Sequence, residues 1–160
     1  MSNKFPIMAT NNIRTWRFMV FGGSAVGKTT LLLALERKDP TTALKSQMID
    51  YSTWGIDTPG EYSEIARLRR ILVTTAFDSQ LLMVVQDATS DKVIFPPHYF
   101  LMFPQRKIGV ITKMDLPEAD PQRACQLLKG AGVDGEIFYV SALTGEGISE
   151  LRDYLINQDF

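Results

Sequence analysis

Eight consecutive residues, Gly22-Gly23-Ser24-Ala25-Val26-Gly27-Lys28-Thr29, fit the phosphate-binding pattern G-x-x-x-x-G-K-[ST] without a mismatch. The chemistry follows from the residue types. Glycines let the main chain wrap closely around a polyphosphate, while amides and a helix N-terminus supply partial positive charge. Lys28 can reach β- and γ-phosphate oxygens, and the Thr29 hydroxyl can ligate Mg²⁺. An ordinary glycine turn before a helix is the competing reading. The flanks speak against it, because Phe18-Met19-Val20-Phe21 precedes the loop as a strand-like run. Thr30 and then Leu31-Leu32-Leu33-Ala34-Leu35 follow it in good helix formers.

Three further patterns lie downstream. Asp57-Thr58-Pro59-Gly60-Glu61 closes an apolar stretch. Its Asp57 carboxylate can hold Mg²⁺ opposite Thr29, and the Gly60 amide can approach a γ-phosphate with no side chain in the way. Thr112-Lys113-Met114-Asp115 matches [NT]-K-x-D, the base-reading element of GTP-binding proteins. Guanine presents N1–H and N2–H₂ as adjacent donors, which one carboxylate accepts in a bidentate pair. Adenine lacks that pair, so Asp115 selects guanine. Lys113 can lay its stem along the base. Thr112 stands where asparagine is commoner, and its shorter side chain predicts fewer cross-links to the phosphate loop. Ser141-Ala142-Leu143 resembles the closing Ser-Ala-x element, whose Ala142 amide would meet guanine O6. Together the four predict a guanine-nucleotide site for GTP or GDP with Mg²⁺.

The elements that must position these residues form an α/β pattern. Buried strands are expected at Arg17–Phe21, Leu81–Val85, Ile108–Ile111 and Ile137–Val140, and a short antiparallel pair at Gln47–Tyr51 and Trp54–Ile56, turning at Ser52-Thr53. Helices are expected after the phosphate loop to about Lys38, where Asp39-Pro40 stops it, and from Ser63 to Ala76 with Ile65, Leu68 and Leu72 on one face. Others follow from Asp120-Pro121 to Gly130 and along Ile148, Leu151 and Leu155. Arg67, Arg69 and Arg70 read as a solvated helix face. Alternating strands and helices imply a three-layer P-loop fold with a mostly parallel sheet, and every polar pattern falls at a strand's carboxyl end, where such sheets bind ligands.

Size and composition set the bounds. A chain of 160 residues accommodates one domain, read here as residues 17–160 behind a leader of residues 1–16 that is either flexible or a docking peptide. The net charge of −1 gives no bulk attraction for nucleic acid or an anionic membrane. Cys125 is the only cysteine, so no intrachain disulfide forms, and the single His98 builds no histidine metal site. No long apolar run or signal layout is present, and a cytoplasmic location is expected.

The stretches Asp57–Tyr62, Val85-Gln86-Asp87-Ala88-Thr89, Phe95-Pro96-Pro97 and Ile108–Asp115 resemble the EutP/PduV family, which accompanies ethanolamine and propanediol utilisation in bacterial microcompartment operons. The resemblance runs from Arg17 onward and fails over residues 1–15. It implies a first-switch Lys-Thr-Gln, which here is Lys45-Ser46-Gln47, so Ser46 becomes a Mg²⁺ ligand, with Thr41 or Thr42 as alternatives. Lys28, Gly60 and Glu61 are the catalytic candidates. Glu61 replaces the glutamine that positions water in many GTPases, Ser24 narrows the approach to the loop, and Ala25 replaces the asparagine of potassium-activated relatives. Slow turnover and a binder or switch role follow. Two other functions stay open. One is an acetate-kinase-like phosphotransferase using ATP or GTP. The other is a non-hydrolysing adaptor docking to a microcompartment shell or enzyme protein.

Overall fold

The computed structural model describes residues 16–43, 48–51 and 55–157. The leader before Trp16, the turn at Ser52-Thr53 and the predicted ligand Ser46 lie outside the described residues.

Strand β1 (Trp16–Phe21) enters the phosphate loop and α1 (Lys28–Leu35) leaves it, followed by a 3₁₀ turn (Pro40–Thr42). Strands β2 (Asp50–Tyr51) and β3 (Gly55–Asp57) pair antiparallel, as expected, with Asp50 opposite Asp57 and Tyr51 opposite Ile56. Helices α2 (Gly60–Glu64) and α3 (Ala66–Ala76) lead to β4 (Ser79–Asp87) and β5 (Arg106–Thr112). Then come α4 (Pro121–Gly130), β6 (Ile137–Tyr139) and α5 (Ile148–Asn157). The sheet order is β2-β3-β1-β4-β5-β6, parallel throughout except for the β2 edge. This is the doubly wound P-loop α/β architecture that the strand–helix alternation predicts.

Strand periodicity divides the core into two layers. Met19 and Phe21 of β1, with Leu82 and Val84 of β4, face one side and pack with Leu72, Ala124 and Leu128 of the helices. Phe18 and Val20, with Leu81, Met83 and Val85, face the other and meet Leu31, Leu35, Leu151 and Leu155. Between β4 and β5 the chain forms only a short 3₁₀ helix (Tyr99–Met102), and an aromatic cluster built around it covers the first layer. Phe21 meets Phe100 edge-on at 5.3 Å between centroids, and Phe95 and Phe103 complete the cluster. No described helix is long and apolar enough to cross a membrane.

Two expected helices differ from the sequence reading. The first ends at Leu35 rather than near Lys38, with Arg37 in a left-handed conformation (φ 59°). Arg152 of α5 reaches across to accept-ready carbonyls at that end, donating to Ala34 O at 2.8 Å and Leu35 O at 3.0 Å. The second is two helices: the chain starts coiling at Gly60 and breaks at Ile65, which is extended (φ −100°, ψ 117°). Ile65 is accordingly exposed rather than on the buried face with Leu72. The break frees the Ser63 carbonyl, and Arg69 donates to it at 2.8 Å while lying 5.9 Å from the Tyr99 ring centroid. Arg69 is therefore structural, whereas Arg67 and Arg70 are exposed as expected.

Candidate functional site

The phosphate loop is held from inside. Lys28, almost fully buried, donates from Nζ to Gly22 O at 2.9 Å and Gly23 O at 2.7 Å. Gly27, at φ 96°, occupies a left-handed conformation that a side chain would strain, and it starts α1 directly behind the loop. Ala25 adopts a similar φ of 60° without glycine's freedom, which places it among the strained residues that cluster at ligand sites.

Two predicted metal ligands come together. Thr29 Oγ1 donates to Asp57 Oδ2 at 2.8 Å, joining the start of α1 to the end of β3. Thr58 extends that clamp, its hydroxyl donating to Val20 O of β1 at 2.7 Å. A hydroxyl and a carboxylate are hard oxygen donors of the kind Mg²⁺ takes, and Mg²⁺ normally keeps several waters and phosphate oxygens besides. That suits this donor set, because among the described residues no group of three or more His, Cys, Asp or Glu could enclose a metal by itself. The alternatives Thr41 and Thr42 do not join it. Their hydroxyls donate to Asp39 Oδ1 and Asp39 O, both at 2.7 Å, which closes the 3₁₀ turn instead.

Gly60 lies against the loop itself. A Cβ at that position would stand 2.3 Å from Ser24 N and 2.4 Å from Ser24 Cα, so only glycine permits the approach. Glu61 is the next residue, half-buried in the first turn of α2. Two neighbours that the sequence reading passed over tie α2 to the loop. Ser63 Oγ accepts from Gly22 N at 3.2 Å, and Glu64 Oε1 accepts from Ser24 N at 2.7 Å. Lys92 stands 3.4 Å from the same Glu64 oxygen. Burial pushes the Glu64 carboxyl up, but the Ser24 amide and Lys92 outweigh it and hold the group below the usual range.

The base-side residues converge on a cavity of about 390 Å³ lined by Gly27, Thr30, Lys113, Asp115, Ala142 and Leu143. Ser141 Oγ donates to Asp115 Oδ1 at 2.8 Å, orienting the carboxylate at the cavity wall. Thr112, expected to make fewer cross-links than asparagine, makes one bond to the loop. Its hydroxyl is buried and donates to Val26 O at 2.6 Å, so threonine fastens β5 to the loop directly. Lys113, in a left-handed conformation (φ 62°), donates from Nζ to Ala25 O at 2.8 Å. It also pairs with Asp87 Oδ2 at 2.7 Å. Asp87 was not among the predicted site residues. It ends β4 just as Asp57 ends β3, and that shared position is the signal that identifies it. Burial raises the Asp87 carboxyl, yet Lys113 and the Thr89 amide and hydroxyl prevail and leave it below its ordinary value.

A second, broader cleft of about 560 Å³ opens at the other end of β5, among Pro104, Arg106, Lys107, Asp134 and Glu136. No residue of the four sequence patterns lines it.

The geometry has relatives. A protein named probable acetate kinase EutP from Escherichia coli K12 is 33% identical over 141 residues, covering 87% of this chain and 88% of its own. The propanediol utilization protein PduV of Citrobacter freundii is 34% identical over 142 residues, covering 87% and 92%. Among solved structures, the cytosolic domain of the T. maritima FeoB iron transporter in its GMPPNP form superposes with a TM-score of 0.58 at 21% identity. The match covers 91% of this chain and 65% of that one, and establishes the shared fold. The family model described as ethanolamine utilisation - propanediol utilisation matches residues 15–157, and the chain belongs to that PduV-EutP family.

Proposed function

We propose that this chain is a guanine-nucleotide-binding P-loop protein of ethanolamine or propanediol utilisation, which binds Mg·GTP and GDP, hydrolyses GTP slowly and works through whichever protein reads its bound state. The observation that carries the base assignment is Asp115, held by Ser141 at the wall of a cavity that continues to Gly27 and Thr30. A carboxylate fixed in that position accepts guanine's paired donors and has no such pair to accept from adenine. Lys113 flanks the same cavity with its ammonium anchored, so its stem is restrained before any base arrives. The amides of the loop and Lys28 receive the phosphates. Thr29 and Asp57 would hold Mg²⁺, whose charge, when it is bound, neutralises the β- and γ-oxygens.

Slow hydrolysis is the reading that Glu61 supports. A carboxylate at the position after Gly60 repels a γ-phosphate and cannot donate to an attacking water as an amide does. A shell or enzyme protein of a microcompartment is the proposed reader, a reading supported by membership of the ethanolamine and propanediol utilisation family. The test is nucleotide binding by purified protein. GDP and GTP should compete with each other while ADP and ATP do not, and Asp115→Asn should exchange guanine for xanthine, whose C2 carbonyl accepts a bond. A wild-type preference for adenine nucleotides would refute the base assignment.

A second reading is supported by the printed name of the relatives. Phosphoryl transfer to a small carboxylate would use the same loop and Mg²⁺ ligands. A nucleoside diphosphate product whose formation requires added acetate would favour it over hydrolysis.

A further inference from the structure

The nucleotide reading assigns work to the loop, to Asp57 and to the base-side residues, but leaves unexplained why α2 is clasped onto the loop by an anion. Glu64 does not merely lie nearby. Its Oε1 sits 2.7 Å from Ser24 N, so a carboxylate already occupies an amide of a loop whose composition suits it to anions. Ser63 makes a second clasp on Gly22 N, and Gly60, three residues earlier, abuts Ser24 itself. Lys92, exposed beyond the carboxylate, provides a countercharge on the outer side. Arg69 fixes the Ser63 carbonyl, which holds the break at Ile65 and so aims Ser63 and Glu64 at the loop.

From this arrangement we infer that Glu64 is a specificity-determining residue, an internal anion that competes with the terminal phosphate of a nucleoside triphosphate and so biases the site toward the diphosphate. The inference rests on the proposed nucleotide site, though not on the identity of the base. In the proposed site Gly60 is the α2 residue that meets a γ-phosphate, and it packs against the same Ser24 whose amide Glu64 holds. The clasp therefore covers the terminal-phosphate end of the loop. The base cavity at Asp115 lies past Gly27 and Thr30 and is clear of it. A third phosphate adds negative charge beside the Glu64 carboxylate, and the two anions compete for one amide. Binding of the triphosphate would expel Glu64 and release α2 at Ser63 as well. Arrival of the terminal phosphate is thereby converted into movement of a segment on the protein's surface. A diphosphate leaves the clasp in place.

The experiment compares GDP and the non-hydrolysable GMPPNP on full-length wild type, Glu64→Gln and Ser63→Ala, by calorimetry in Mg²⁺ buffer. Hydrogen exchange of the Gly60–Glu64 segment is followed in parallel. Glutamine is isosteric and keeps a carbonyl for the amide while removing the charge. Glu64→Gln is expected to tighten GMPPNP about tenfold relative to GDP, the scale of one charge-assisted hydrogen bond lost to a competitor. Ser63→Ala should shift the ratio in the same direction by a smaller factor. In wild type, GMPPNP but not GDP should speed exchange in α2. Equal changes for the two nucleotides in Glu64→Gln, or a weakened GMPPNP, would overturn the inference. So would α2 exchange that is indifferent to the third phosphate. If the wild type takes adenine and not guanine, the base assignment fails by itself and the ADP and AMPPNP pair tests Glu64 by the same ratio. Binding of no nucleotide at all overturns both.

Discussion

Removing the Asp87 carboxylate tests whether the base side of the site is pre-organised from β4. Asp87 is 8% exposed and makes three contacts: Lys113 Nζ at 2.7 Å, Thr89 N at 2.8 Å and Thr89 Oγ1 at 2.7 Å. In Asp87→Asn the amide oxygen can still accept from Thr89, so the loss falls mainly on the ion pair. A hydrogen bond to a charged group contributes about 1.5–3 kcal/mol. The Lys113 side chain is 35% exposed, and solvent screening reduces the pair to about 1 kcal/mol. Asp87→Ala also gives up both Thr89 bonds and should cost about 2–3 kcal/mol in all. Acid provides the control. The folded carboxyl titrates below its unfolded value, so its contribution is fully present above about pH 4 and is lost as pH falls through the lower folded value. Urea unfolding at pH 7 should therefore separate wild type from Asp87→Asn by about 1 kcal/mol, and the gap should close as pH falls through the depressed folded value of the carboxyl. Guanine-nucleotide affinity at pH 7 should fall about tenfold as Lys113 loses one of its two anchors. If the variant matches wild type in both stability and affinity at pH 7, or if the stability gap persists in strong acid, the pre-organisation argument is wrong.

Other perturbations follow from single contacts. Gly60→Ala places a methyl 2.3 Å from Ser24 N, and α2 must move off the loop at a cost of about 1–3 kcal/mol, visible as faster amide exchange over Gly60–Glu64. Thr112→Val keeps the shape but leaves the buried Val26 carbonyl without its 2.6 Å donor, and thermal unfolding should report a loss of about 1–3 kcal/mol. Arg152→Ala exposes the last carbonyls of α1 by removing donors to Ala34 O and Leu35 O. A loss of about 2 kcal/mol is expected in denaturant, with no change in the nucleotide bound.

The parts of the fold legible in sequence were those carried by unbroken patterns. The apolar runs of β1, β4 and β5 are buried on both faces, and a parallel sheet covered by helices is the arrangement that such strands require. Asp120-Pro121 behaves as read, with the Asp120 carboxylate accepting from Arg123 N at the start of α4. The Gly22–Thr29 loop and Asp115 fall beyond the carboxyl ends of β1 and β5, as the apolar runs before them imply. What escaped depended on partners far along the chain. Nothing local marks Ile65 as a helix break. It follows from Ser63 and Glu64 being bound by Gly22 and Ser24, some forty residues earlier. Arg69 looked solvated because its acceptor exists only once that break has formed. That Thr112 spends its one loop bond on the Val26 carbonyl is set by the approach of β5 to the loop, 86 positions away in sequence.

The bonds from Arg152 to α1 carry a consequence for the order in which the protein is made. The helix behind the phosphate loop is terminated by a side chain 117 and 118 positions further on. Lys113 likewise reaches the loop across 88 positions, and Ser141 braces Asp115 only after β6 has joined the sheet. An emerging chain thus displays its loop sequence long before the long-range bonds that brace it can form. On the proposed function, capture of a nucleotide would then report that the domain has been completed.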